Sequence, residues 1–300
     1  MLNTEWIVFG SFILTSLLLD LFVFQGKPHR ISVKESLLLS IFWIIVGLSF
    51  GFYVFYARGS GSAIEYITGY MLEKSLSLDN IFVFILILSY FRVPEEYKHK
   101  VLFWGVFGAI VFRGIFIFLG IELVKRLEWV MYIFGVILII SAVKLLVTEE
   151  REFHPESTLL YKIAKKVLPM RPQMDKGRFF IREGRMVYAT PIFLALLSVE
   201  SSDIIFAIDS VPAIFAISKD PFVVYTSNIF AILGLRSLYF AANAILPMFH
   251  YLHYGLSFVL GFIGFKILIS DFYHIPIFVS LLLVLSAVFL SIVASAISKR

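Results

Sequence analysis

The run Glu200-Ser-Ser-Asp203-Ile-Ile-Phe-Ala-Ile-Asp209-Ser-Val-Pro212 sets three carboxylates and three hydroxyls inside otherwise apolar sequence. A carboxylate at the middle of a bilayer costs roughly 2.5–3.5 kcal/mol on insertion scales, so acids placed there face a protein interior or a path. A second acid-bearing run, Glu73-Lys-Ser-Leu-Ser-Leu-Asp79-Asn80, lies in another apolar stretch, with Asp79 standing 124 residues before Asp203. Asp20 in the first apolar run brings the set to six: Asp20, Glu73, Asp79, Glu200, Asp203 and Asp209. Left uncompensated, these six would cost roughly 15–20 kcal/mol, comparable to or above the net stability of a whole domain. They are therefore paired, protonated, hydrated or bound to metal.

Carboxylates, the Asn80 amide and serine hydroxyls make a donor set for a hard cation such as Mg²⁺, Ca²⁺ or Mn²⁺. The chain has no cysteine, and its six histidines fall in loops or at the ends of apolar runs, which argues against Zn²⁺, Cu²⁺ or Ni²⁺. The candidate ligands are Glu73, Asp79, Glu200, Asp203 and Asp209, joined by Asn80, Ser77, Ser201, Ser202 and Ser210, with Asp20 as either an entry or exit ligand toward the cytoplasmic end or a helix-end charge. On a helix Glu200 and Asp203 share a face. Arg113 and Arg236 are the candidate charge-compensating groups, holding the ion-free carboxylates between binding events. The competing reading makes the whole set a structural salt-bridge network, since buried pairs exist for structure alone. Lys144 and Lys266 lie near the ends of apolar runs, where lysines snorkel.

The elements that must carry these residues are membrane helices. Hydrophobic residues make up 60% of the chain and charged ones 16%, against about 45–50% and about 25% in a soluble domain. The expectation is an all-α polytopic membrane protein. Apolar runs long enough to cross a hydrocarbon core of about 30 Å occur at Trp6–Phe24, Ser36–Tyr56, Ile64–Phe91, Val101–Leu119, Trp129–Val147, Val187–Ser218, Phe222–Ala242, Phe249–Ile269 and Ile275–Ile297. With the N-terminus outside and the C-terminus cytoplasmic, seventeen Lys and Arg fall inside and four outside, as the positive-inside rule requires.

Three landmarks recur at nearly constant offset. Asp79 pairs with Asp203, Arg113 with Arg236 and Lys144 with Lys266, at 124, 123 and 122 residues. Each repeat holds three spans, an odd number, so spans 3–5 and 6–8 insert in opposite orientations. Inverted repeats characterise secondary transporters, whose ion sites lie near the midplane at the repeat interface, and they also occur in channels, so the repeat favours transport without fixing its mechanism. The chain divides into spans 1 and 2 (residues 1–57), a first repeat (64–147), a basic cytoplasmic loop (148–186), a second repeat (187–271) and a terminal span (272–300). Val187–Ser218 is longer than one crossing needs, and Pro212 is the expected break, because proline lacks an N–H and clashes with the carbonyl four residues earlier.

Residues 148–186 carry three prolines and a basic amphipathic piece, Tyr161–Leu168. One reading is a lipid-binding or regulatory element, the other a solvated connector whose charges hold topology.

Four motifs span both repeats: Gly69-Tyr-Met-Leu-Glu73-Lys-Ser-Leu-Ser-Leu-Asp79-Asn80, Val199-Glu200 through Phe215, Thr226-Ser-Asn228 through Arg236, and Asp271-Phe-Tyr-His-Ile-Pro276. In these the chain resembles the TerC/Alx family of bacterial integral membrane proteins. The resemblance implies a nine-span inner-membrane protein that exports Mn²⁺, with Glu73, Asp79, Asn80, Glu200, Asp203 and Asp209 lining the ion site. It implies Mn²⁺ as the transported ion, with no permanently bound cofactor, no enzymatic activity and no nucleic-acid partner. Exchange against protons or Na⁺ is the coupling expected of carboxylates that alternate between metal and proton. The other expectation is a non-transporting scaffold, or a metallation or stress-response partner with a TerC-like role in tellurite resistance. An intramembrane aspartyl protease is disfavoured, because the chain contains neither Gly-x-Gly-Asp nor Tyr-Asp nor Pro-Ala-Leu.

Overall fold

A computed structural model describes residues 2–22, 32–147, 159–171, 177–184, 186–245 and 251–298. The elements are α1 (Leu2–Phe22), α2 (Val33–Arg58), α3 (Ser60–Tyr90), α4 (Glu95–Arg126), α5 (Val130–Val147), α6 (Leu159–Val167), β1 (Phe180–Glu183), β2 (Met186–Ala189), α7 (Pro191–Phe215), α8 (Pro221–Ile232), α9 (Leu235–Ile245), α10 (Leu252–Leu268) and α11 (Ile277–Ile297). Local chemistry sets several of the starts. Ser32 caps α2 by accepting from the Glu35 N–H. Thr190 and Asp220 cap α7 and α8, each followed by a proline at the first helical position, where a missing N–H costs nothing.

A helix, or in one case a bent pair, stands at each of the nine apolar runs. Among the described residues five helices are long and apolar enough by themselves to cross a membrane, and six if the bent pair α8–α9 counts as one. The 31-residue α3 is long enough, but it carries Glu73, Lys74 and Asp79 along its length.

Two local expectations are corrected. Val187 lies in β2, and α7 runs unbroken from Pro191 to Phe215 with Pro212 inside it. Pro212 falls in the last turn, and its own carbonyl still accepts from the Ala216 N–H. The proline therefore removes one bond near a helix that is about to end. The break comes instead in the run Phe222–Ala242, where α8 and α9 meet at 41°. Gly234 sits at the bend with φ +79°, a left-handed conformation that glycine adopts without a Cβ penalty. The backbone also presses on α2, so that a Cβ at Gly234 would lie 2.5 Å from the Cβ of Trp43.

The core is built by cross-pairing. α3 packs on α8, α4 on α7 and α5 along α10, while α2 covers α3 and α9. Phe9, Phe50, Phe222 and Phe230 form an aromatic cluster where α1, α2 and α8 meet, with Phe50 and Phe230 stacked at 4.4 Å between centroids. Large apolar side chains such as Phe52, Leu119 and Phe289 project outward, as expected of a surface solvated by lipid.

The loop expected as a solvated connector is folded where it is described. α6 packs on α7, and β1 and β2 form an antiparallel hairpin. Lys100 at the start of α4 donates to the Gly177 carbonyl at 2.8 Å.

A buried charge cluster as candidate ion site

Arg113 of α4 is fully enclosed, and three further helices supply its partners. From α7, Asp203 accepts from Nη2 at 2.9 Å through Oδ1 and from Nε at 3.2 Å through Oδ2. From α3, Glu73 accepts from Nη1 through Oε1. From α8, the Asn228 side-chain carbonyl accepts from Nη1 at 3.1 Å, and the Asn228 amide donates to the other Glu73 oxygen at 3.0 Å. Ser210 of α7 completes the ring, with its Oγ 3.5 Å from Nη1. Were both carboxylates ionised, this cluster would keep one negative charge, since a single guanidinium faces two acids.

Small residues let the helices come close enough to build it. The Glu200 carboxylate fills the space over Gly108 of α4, where a Cβ would lie 2.0 Å from Oε1. Gly69 of α3 faces Ser227 of α8 in the same way, with Oγ 2.9 Å from a built Cβ. A Cβ at Gly108 would displace the Glu200 carboxylate from its place, and one at Gly69 would displace the Ser227 hydroxyl.

Beside the cluster lies a cavity of about 30 Å³ lined by Asp79, Asn80, Asp209 and Ser210, with Leu76, Phe206 and Leu256 among its apolar walls. A water needs roughly 10–15 Å³, so the cavity has room for a water-sized or ion-sized occupant. Ser141 of α5 donates to Asp209 Oδ1 at 2.6 Å and fixes that carboxylate. Ser210 belongs to both places, touching Arg113 and lining the cavity.

The expected ligands thus fall into two adjoining groups. Glu73 and Asp203 are held by Arg113, while Asp79, Asn80 and Asp209 line the cavity. Glu200 is 7% exposed, and its Oε2 has no hydrogen-bond partner among the described residues. Ser202 spends its hydroxyl on the Val199 carbonyl at 2.7 Å. Arg236 is buried on α9, just past the bend at Gly234. The Asp20 side chain lies outside the described residues. Among the described residues no three Asp, Glu, His or Cys side chains are arranged to hold one metal ion. Lys144 is exposed, as snorkelling requires, but Lys266 is buried and donates to Ser280 of α11 at 2.9 Å.

Two participants are absent from the set read off the sequence. Asn228 carries a buried amide in an apolar run, a signal of the same kind as Asn80. Ser141 is a lone hydroxyl in span 5, and nothing local marks its partner. Lys74 donates to the Ala231 carbonyl at 3.1 Å, in the last turn of α8 before the bend.

These features define an α-helical integral membrane protein with a charged, hydrogen-bonded interior. The chain matches the profile of the "Integral membrane protein TerC family" over residues 58–300, and it belongs to that family. It is 46% identical to an uncharacterized membrane protein of Myxococcus xanthus, covering 98% of this chain and 92% of the relative. An uncharacterized membrane protein of Rickettsia bellii is 43% identical, over 99% of this chain and 98% of its own. A protein of Escherichia coli (strain K12) named Alx, described as a candidate membrane-bound redox modulator, is 41% identical over 97% and 94% of the two chains. No solved structure matches the chain.

Proposed function

We propose that this chain is a secondary transporter of a bacterial inner membrane, exporting Mn²⁺ from the cytoplasm in exchange for protons or Na⁺. The observation that carries the reading is Arg113, which holds one acid from each half of the chain, Glu73 and Asp203. A guanidinium and a divalent cation compete for the same carboxylates. On this reading Arg113 holds the positions on Glu73 and Asp203 that a metal would take, and the cavity beside it is where the metal would first meet Asp79 and Asp209. Withdrawal of Arg113 would free Glu73 and Asp203 to complete the coordination. The cross-pairing of α3 with α8 and α4 with α7 is what exchange of two inverted three-helix repeats would produce, while nine spans and an N-terminus outside rest on the nine apolar runs and the positive-inside count. Oxygen donors alone suit Mn²⁺, Mg²⁺ and Ca²⁺ alike, and the choice of Mn²⁺ rests on the family resemblance.

The experiment is metal accumulation in cells with and without this chain, each exposed in turn to Mn²⁺, Mg²⁺ and Ca²⁺. Lower cell Mn²⁺ in the presence of the chain supports export. Equal Mn²⁺ in both cell types contradicts it.

A second reading follows from the name of the Escherichia coli relative and from the folded loop. On this reading the chain is a non-transporting partner in a metallation or stress-response complex. The chain has no cysteine, so any thiol exchange would belong to the partner. A stable complex on pull-down, with no flux from the purified protein, would favour this alternative.

A further inference from the structure

Ile163 and Val167 stand one turn apart on α6 and are 49% and 72% exposed. The adjacent edge of the same helix is buried, with Tyr161 and Ala164 packed on Leu194 and Leu197 of α7 and on Phe91. Lys162, Lys165 and Lys166 are exposed on the remaining arc. The apolar face of α6 is therefore wider than the protein covers, and a basic face flanks it. An amphipathic helix of this kind lies in the plane of a membrane interface, with apolar side chains among the acyl boundary and lysines reaching the headgroups.

The position of α6 selects that occupant. Phe91 closes the C-terminal end of α3, and Leu194 lies in the first turn of α7. In an integral membrane protein, the level at which these two helices end and begin is where headgroups are found. The β1–β2 hairpin continues the surface, with Phe180, Met186 and Val187 exposed and Arg182 beside them. A bridge from Met170 to Ala189 ties the segment after α6 to this hairpin. Three lysines beside an uncovered apolar strip complement a negatively charged lipid surface.

We infer that α6 and the β1–β2 hairpin form an interfacial contact that seats on the lipid headgroup layer and prefers anionic phospholipid. The inference is independent of whether the chain transports an ion. Because the full chain is already membrane-embedded, the test reads local contact. The variant Ile163→Trp is reconstituted in phosphatidylcholine vesicles containing either brominated phosphatidylglycerol or brominated phosphatidylcholine at the same fraction. The signal of the four native tryptophans is subtracted using the unsubstituted chain. The expected result is quenching of the added fluorescence, about twofold or more stronger with the anionic lipid. That preference is lost when Lys162→Gln, Lys165→Gln and Lys166→Gln are combined with it. Val167→Trp reports on the same face if Ile163→Trp fails to fold. Absence of quenching by either lipid would place this face against water, a protein partner or a second copy, and would overturn the inference. Equal quenching by the two lipids would overturn the headgroup preference.

Discussion

Arg113 on α4 grips Asp203 on α7 through two parallel hydrogen bonds, Nη2 to Oδ1 at 2.9 Å and Nε to Oδ2 at 3.2 Å. This two-pronged geometry is available to a guanidinium and not to an ammonium. It leaves Nη1 for Glu73, so a single side chain ties α3, α4 and α7 together in an apolar surround.

Removing Arg113 therefore leaves two buried acids without their cation. Arg113→Met is expected to destabilise the protein by about 3–5 kcal/mol, seen as a lower melting temperature in detergent. Adding Glu73→Gln and Asp203→Asn to the same chain should restore much of that loss, because the orphaned charges are gone. Arg113→Lys keeps the charge but not the fork, and should fall between the native chain and Arg113→Met.

Gly234→Ala tests the bend in the α8–α9 run. The substitution adds a Cβ to a residue at φ +79°, where left-handed geometry costs about 1–2 kcal/mol. It also drives that Cβ to within 2.5 Å of the Trp43 Cβ, which lies next to the α2 backbone and cannot swing aside. A clear loss of thermal stability is expected. Melting unchanged from the native chain would mean that the bend is not formed as described.

Lys74→Met removes the donor to the Ala231 carbonyl in the last turn of α8. Loss of a hydrogen bond to a buried polar group costs about 1–3 kcal/mol. Faster amide exchange over residues 229–236 than in the native chain is the expected readout, since the segment on either side of the bend loses its tether.

Ser141→Ala tests the cavity. Ser141 holds Asp209 at 2.6 Å, and loss of a hydrogen bond that orients a ligand costs about 10–100-fold in metal affinity. The variant should fold normally and show weaker apparent Mn²⁺ affinity in a transport or binding assay. Unchanged affinity would take Asp209 out of the ion path.

Much of this was legible in the residues themselves. Acids cannot sit in apolar runs without compensation, so Glu73, Asp79, Asp203 and Asp209 declared an interior before any helix was placed. The recurrence of Asp79 with Asp203 and Arg113 with Arg236 pointed to an inverted repeat, whereas the acids that meet at Arg113 are Glu73 and Asp203. The partners of single polar residues were not legible, because Ser141 and Asn228 find Asp209 and Glu73 only through helix packing. Pro212 misled because the effect of a proline depends on how much helix follows it, and α7 ends three residues later. The bend at Gly234 was hidden because sequence does not separate a glycine needed for positive φ from one that merely lets two helices approach. The grouping of the acids was hidden too, since the choice between a metal and Arg113 as their partner is made by tertiary geometry.

The most direct test of the central claim is Mn²⁺ flux in proteoliposomes holding the purified native chain, Asp79→Asn or Asp203→Asn. Flux is expected with the native chain and is lost in both variants, each of which still folds and inserts. Native-like flux in both would remove the carboxylates from the path, and no flux from the native chain under any imposed proton or Na⁺ gradient would contradict transport itself.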